Sequence, residues 1–160
     1  MRRLTRLVAA LAGAMPMVPA VASASDYDCR MRHPVVFFKA LEDLPASIQA
    51  DLAGKIGTFS PVGGPFDPGD AEAIVENPDG SVVPSAPKRR LIAAGRSGDL
   101  YFVWYERGGR GRSIHEVLYG LGVSGVSPEP VAMLAAHFAT FNPCLATDAY
   151  LDGVRPAQGY

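Results

Sequence analysis

Ser113 and His115 are the two residues whose types and spacing come nearest to a reaction. In the run Ser-Ile-His-Glu they fall on the same face of any strand that passes through them. A serine becomes a nucleophile when a neighbouring base takes its proton, and that base needs a third group to orient it. Side chains two residues apart on a strand stand roughly 7 Å apart at the backbone, so contact is allowed but not favoured. Glu116 points to the opposite face and cannot be the orienting group from the same strand. The chain has no G-x-S-x-G nucleophile elbow. A small hydrolase using Ser113 and His115 is therefore the second reading of this sequence.

The first reading rests on charge. Lys88-Arg89-Arg90 and the run Arg107-Gly-Gly-Arg110-Gly-Arg112 are distant in sequence, yet a three-stranded meander brings them to one end of a sheet. With turns at Ser97-Gly98 and Gly108-Gly109, opposed residues form rows across the three strands. Leu91, Trp104 and Ser113 share one row, and Ala93, Phe102 and His115 the next. Gly95, Leu100 and Val117 complete that face. The other face carries Ile92, Val103 and Ile114, then Ala94, Tyr101 and Glu116. At the basic end Arg90, Tyr105 and Arg112 line up, with Arg89 opposite Glu106 behind them and Lys88 beside Arg107. Such a cluster concentrates positive potential, and the arginine fork grips carboxylate or phosphate through two hydrogen bonds. Arginines beside Tyr105 also have its ring to stack on. Charges at a sheet end serve a plainer purpose too, as guards against edge-to-edge pairing.

This pattern points to a non-enzymatic binding module, an inhibitor or an envelope accessory protein. Its contact would be Lys88, Arg89, Arg90, Tyr105, Arg107, Arg110 and Arg112. The expected partner is an acidic protein or an anionic envelope component. Nucleic acid does not fit, because the chain as a whole is not basic: 15 Lys+Arg against 16 Asp+Glu give a net charge of −1.

Other chemistries lack their signatures. His33, His115 and His137 lie on three segments without H-x-H or H-x-x-x-H spacing, so no zinc site is expected. Asp67, Asp70 and Glu72 sit on a Gly/Pro loop that lacks the EF-hand pattern. The glycines of residues 108–111 are not followed by the Lys-Ser/Thr of a phosphate loop. No metal or prosthetic group is implied.

The N-terminus reads as an export signal. Arg2, Arg3 and Arg6 precede an apolar stretch from Leu7 to Val21, and Ala22-Ser23-Ala24 has the form of a cleavage site. Cleavage after Ala24 would leave residues 25–160 as a single α+β domain. Three arginines go with residues 1–24, leaving 12 basic against 16 acidic residues, or −4. The mature protein is expected in the periplasm or outside the cell, with no transmembrane segment. Arginine outnumbers lysine 12 to 3, as in GC-rich bacterial genomes. In an oxidising compartment Cys29 and Cys144 are expected to bridge. That bond would close a loop of about 116 residues and contribute roughly 4–5 kcal/mol on the chain-entropy view.

The elements that must carry these residues follow from pattern. Pro45 to Gly54 reads as a helix, with Ile48, Leu52 and Ile56 at four-residue spacing. Residues 34–44 fit either a strand or a helix entry. Residues 58–70 are a Gly/Pro loop. Residues 71–76 suit a short strand and residues 77–80 a turn. Arg89–Arg96, Asp99–Arg107 and Arg112–Tyr119 are strands separated by glycine turns, an antiparallel meander over about 89–119. A loop is expected after Gly120. A helix over Pro130–Phe141 follows from the spacing of Val131, Leu134, Phe138 and Phe141. The tail beyond Cys144 is expected to pack little. A central meander with helices on either side in sequence is an α+β architecture.

Overall fold

The computed structural model describes residues 29–67, 75–76, 82–83, 87–108, 112–125 and 127–156. The expected export signal, Arg110 and the turn at 77–80 lie outside these residues, as do Asp70 and Glu72 of the acidic loop.

The chain forms a five-stranded antiparallel sheet and two helices. In chain order the elements are β1 (Val36–Phe38), α1 (Ala46–Lys55), β2 (Val75–Glu76), β3 (Val82–Val83), β4 (Arg89–Ser97), β5 (Leu100–Arg107), β6 (Ser113–Ser124), β7 (Ser127–Thr140) and α2 (Pro143–Leu151). The main sheet runs β1-β4-β5-β6-β7, and β2 pairs only with β3. The α+β meander stands, with more strand than the sequence suggests. Residues 34–44 resolve into β1 and a 3-10 turn at Leu41–Asp43.

The meander forms where alternating apolar residues meet glycine turns. Gly98 adopts φ 56° in the two-residue turn between Ser97 and Leu100, a conformation that disfavours a side chain. Gly95 faces β1 so closely that a Cβ would lie 2.6 Å from the Val36 carbonyl oxygen. Only glycine lets β1 approach β4 there.

The middle strand β5 is covered on both faces. Val103 and Tyr105 join Leu91, Val117, Tyr119 and the α1 residues Ile48 and Leu52 in one cluster. Phe102 and Trp104 join Ile92, Ala93, Leu118 and Cys144 in the other. Ile92 and Ala93 both belong to the second cluster because the β4–β5 register shifts between Leu91 and Ala93. Such a bulge puts two consecutive side chains on one face.

Three expectations are corrected here. Residues 130–140 are strand, not helix. Leu134 pairs with Tyr119 and so lies on the α1 face, whereas Phe138 packs in the Trp104 cluster. Apolar residues distributed over both faces of a bulged strand imitate helical spacing. The loop expected after Gly120 is instead the continuation of β6, which pairs with β7 as far as Ser124. The segment after Cys144 is not a loose tail but part of α2, with Cys144, Thr147 and Asp148 buried. Its start was legible in Asn142-Pro143: the Asn142 side chain accepts from Leu145 N at 3.1 Å, and Pro143 fills the first turn. Cys29 and Cys144 stand at disulfide distance, Cα to Cα 5.9 Å, joining α2 to the segment before β1.

Candidate functional site

The β5–β6 pairing decides which groups meet. Arg107 pairs with Ser113, Tyr105 with His115 and Trp104 with Glu116. Against the tight turn expected at Gly108-Gly109, this is a displacement of three residues. An odd displacement exchanges the faces of the whole strand. His115 therefore lies beside Tyr105 rather than Phe102, and Glu116 beside Trp104 rather than Tyr101. The expected row Arg90–Tyr105–Arg112 becomes Arg90–Glu106–Ile114, and Arg112 reaches Glu106 from the residue before β6. Arg89 stands opposite Arg107, not Glu106.

The basic end of the sheet thus splits into two faces. On the Trp104 face, Glu106 is 1% exposed. It accepts from Arg90 Nε at 2.9 Å and Arg90 Nη2 at 2.6 Å, and from Arg112 Nε at 2.9 Å and also Nη2. Burial would raise its pKa, but the hydrogen bonds and charges of Arg112 and Arg90 hold it below the ordinary carboxylate value. Arg90 also lies over the Phe66 ring, 5.2 Å from its centre. The charges on this face are matched.

On the Tyr105 face they are not. Ser113 Oγ and His115 Nε2 are 2.9 Å apart, and Tyr105 Oη and His137 Nε2 are also 2.9 Å apart. The Tyr105 and His115 rings stack at 5.2 Å, and Phe59 meets Tyr105 edge-on at the same distance. Arg89 and Arg107 complete the group. Arg89 packs over Gly57, and its Nε is buried with no hydrogen-bond partner among the described residues. Burial, then His137, Arg107 and Arg89, lower the His115 pKa to about 4. Burial, then Arg107 and Arg89, lower that of His137. Both imidazoles are therefore neutral near pH 7. Burial raises the Tyr105 pKa against the opposing pull of Arg89 and Arg107, so the phenol keeps its proton.

His137 was missed in the sequence because its segment was read as a helix. Lys88 sits at the same end, where its carbonyl accepts from Gly108 N at 2.9 Å. Ser113 also lines an open cleft of about 300 Å³ together with Arg112, Ile114, Ala139, Thr140 and Phe141. No group of three or more His, Cys, Asp or Glu among the described residues is arranged to hold a metal ion.

No protein-family model, curated protein or solved structure matches this chain.

Proposed function

We propose that this chain is a non-enzymatic binding module that captures an anionic group at the Tyr105 face of the sheet end. The observation that carries this reading is the pair Arg89 and Arg107, directly opposed on neighbouring strands, with a buried Arg89 donor that has no partner among the described residues. Like charges placed opposite each other across a sheet destabilise it, and an unsatisfied buried donor adds to that cost. A bound carboxylate or phosphate relieves both. Neutral His115, His137 and the Tyr105 and Ser113 hydroxyls then offer hydrogen bonds that orient the anion. Lys88 lies at the same sheet end, whereas Arg90 and Arg112 serve Glu106 first.

An acidic protein or an anionic envelope component is the proposed partner. Export ahead of residue 25 belongs to the same proposal. The Cys29–Cys144 pair supports it, and no helix among the described residues is long and apolar enough to cross a membrane.

The test is a titration with inorganic phosphate and, separately, with an oligoglutamate peptide, following the His115 and His137 ring resonances by NMR. Saturable shifts that weaken with salt are expected, lost in Arg89→Glu/Arg107→Glu and kept in Arg112→Gln. Equal shifts in all three proteins would reject the site.

One observation favours a hydrolase instead: Ser113 is hydrogen-bonded to His115 and borders a cleft. General-base action requires a stable imidazolium, and here burial, Arg89 and Arg107 oppose that charge. Hydrolysis of a nitrophenyl ester that disappears in Ser113→Ala would put this reading first.

A further inference from the structure

Thr147 has one hydroxyl proton and three hydrogen-bond contacts. Its Oγ1 lies 3.0 Å from Trp104 Nε1, 2.9 Å from the Pro143 carbonyl oxygen, and against Glu116 Oε1. An indole nitrogen can only donate and a carbonyl oxygen can only accept. The Thr147 proton is thus directed to Pro143, and the indole proton to Oγ1, its nearer acceptor at 3.0 Å against 3.4 Å to Glu116 Oε1. The contact with Glu116 then needs a proton of its own, and Glu116 is the group that can carry it. The second oxygen, Glu116 Oε2, is buried with no hydrogen-bond partner among the described residues. A neutral carbonyl oxygen bears that isolation far more easily than a carboxylate does.

We propose that Glu116 is a buried neutral carboxylic acid whose proton, shared with Thr147, holds helix α2 against the sheet, and that losing this proton loosens α2. The anion-binding site lies on the opposite face and is not involved. Once ionised, Glu116 can only accept. Thr147 must then turn its proton away from Pro143, and a charge with one unpartnered oxygen remains in a dry layer. The disulfide-distance contact of Cys144 with Cys29 keeps the start of α2 in place. Its far end is tied through Asp152 to Arg32 at 2.6 Å and His33 at 2.9 Å. Loosening is therefore local to the middle of α2.

The charged groups on the elements around Glu116 already have partners. Glu106 on β5 is held by Arg90 from β4 and by Arg112, the residue before β6. Asp148 on α2 accepts from the Arg32 and His33 backbone nitrogens at 2.9 and 3.2 Å. Phe138 is the cross-strand neighbour from β7 and carries no charge.

Burial accordingly pushes the Glu116 carboxyl up to about 7, against the opposing pull of its contacts with Thr147 and Trp104. The ordinary value is 4.5. A raised folded-state pKa gives stability that is complete below about 4.5 and is lost as pH rises through about 7. The folded-to-unfolded ratio falls about tenfold per pH unit within that window.

Trp104 is the chain's single tryptophan and is 0% exposed, so it reports locally on this contact. Emission of the oxidised protein is recorded from acidic to mildly alkaline pH in wild type and in Glu116→Gln. A red shift with a midpoint near neutrality in wild type, absent from Glu116→Gln, is the expected result. A flat wild-type curve, or the same midpoint in both proteins, overturns the proposal. Infrared spectra of wild type alone guard against a variant that does not fold. The protonated-carboxyl band should be present at mildly acidic pH and lost above neutrality. Its absence at mildly acidic pH overturns the proposal as well.

Discussion

The two faces of β5 solve opposite electrostatic problems. The Trp104 face surrounds one buried carboxylate, Glu106, with two arginines, and leaves a second carboxyl, Glu116, with hydrogen bonds but no cation. The Tyr105 face gathers two arginines and two imidazoles that hydrogen-bond to no carboxylate among the described residues. A face that matches its charges contributes stability, while one that leaves them unmatched holds that interaction for a ligand. The difference also sets the sign of each face's response to pH.

That sign gives the largest predicted effect. Glu116 is raised to about 7, so its contribution falls between about pH 4.5 and 7. His115 is lowered from 6.5 to about 4, so the folded protein binds fewer protons than the unfolded chain, and its contribution rises between about pH 4 and 6.5. In wild type the two slopes oppose each other across that range, and the Glu116 slope prevails. Glu116→Gln removes the falling limb alone. Relative to wild type, its stability should climb by about 1.4 kcal/mol per pH unit, reaching about 3.5 kcal/mol by pH 7. The His115 slope is the smaller one, because that ring is only partly buried and water screens it. Urea unfolding at a series of pH values measures both. Parallel curves for the two proteins would mean that the faces do not differ in this way.

Breaking the matched face comes next. Glu106→Gln removes the negative charge that two arginines share. It should cost about 3 kcal/mol, the low end for a broken buried pair, since Arg112 keeps a side-chain exposure of 57%. Loss of Glu106 also removes an acid-labile contribution, because its folded pKa is lowered and its stabilisation disappears as pH falls through that value. Anion binding on the Tyr105 face should survive in this variant.

Mending the unmatched face should do the reverse. Arg107→Glu turns an opposed arginine pair into an opposite-charge pair with Arg89. Stability should rise by about 1 kcal/mol, while phosphate binding is lost and the His115 pKa moves up from about 4. Thermal unfolding and an NMR titration of His115 check the two halves. A destabilised Arg107→Glu would mean that the arginines are already matched.

The strand positions in this comparison were legible from sequence, but the contacts were not. Arg89 and Arg107 mark strand ends as the sequence implied, while the first turn lies one residue later than expected, at Gly98-Asp99. The first hairpin kept its faces near the turn, because its loop moved by an even step. The second did not. A five-residue connection between Arg107 and Ser113 replaced the two-residue turn, and three residues of slip put His115 and Glu116 on faces opposite to those assigned. Sequence near Gly108 permits either loop, so only the pairing itself settles the register. The bulge at Ile92 is invisible for the same reason, because Ile and Ala suit both faces. The α2 cap at Asn142-Pro143 was readable, and the helical spacing assigned to residues 130–141 obscured it.

The smallest predicted effect separates binding from catalysis. Ser113→Ala deletes one neutral hydrogen bond to a partly exposed histidine, worth about 0.5 kcal/mol in stability. In an anion site, that hydroxyl is one donor beside two arginines, so phosphate affinity should fall by about threefold or less. In a hydrolase the same hydroxyl is the nucleophile, and its removal would abolish turnover while leaving affinity nearly intact. Measuring phosphate binding and ester hydrolysis on the one variant therefore asks both questions at once. The expected outcome is a small loss of affinity with no ester turnover in either protein. The unmatched charge of Arg89 and Arg107, rather than the serine, would then account for what this face does.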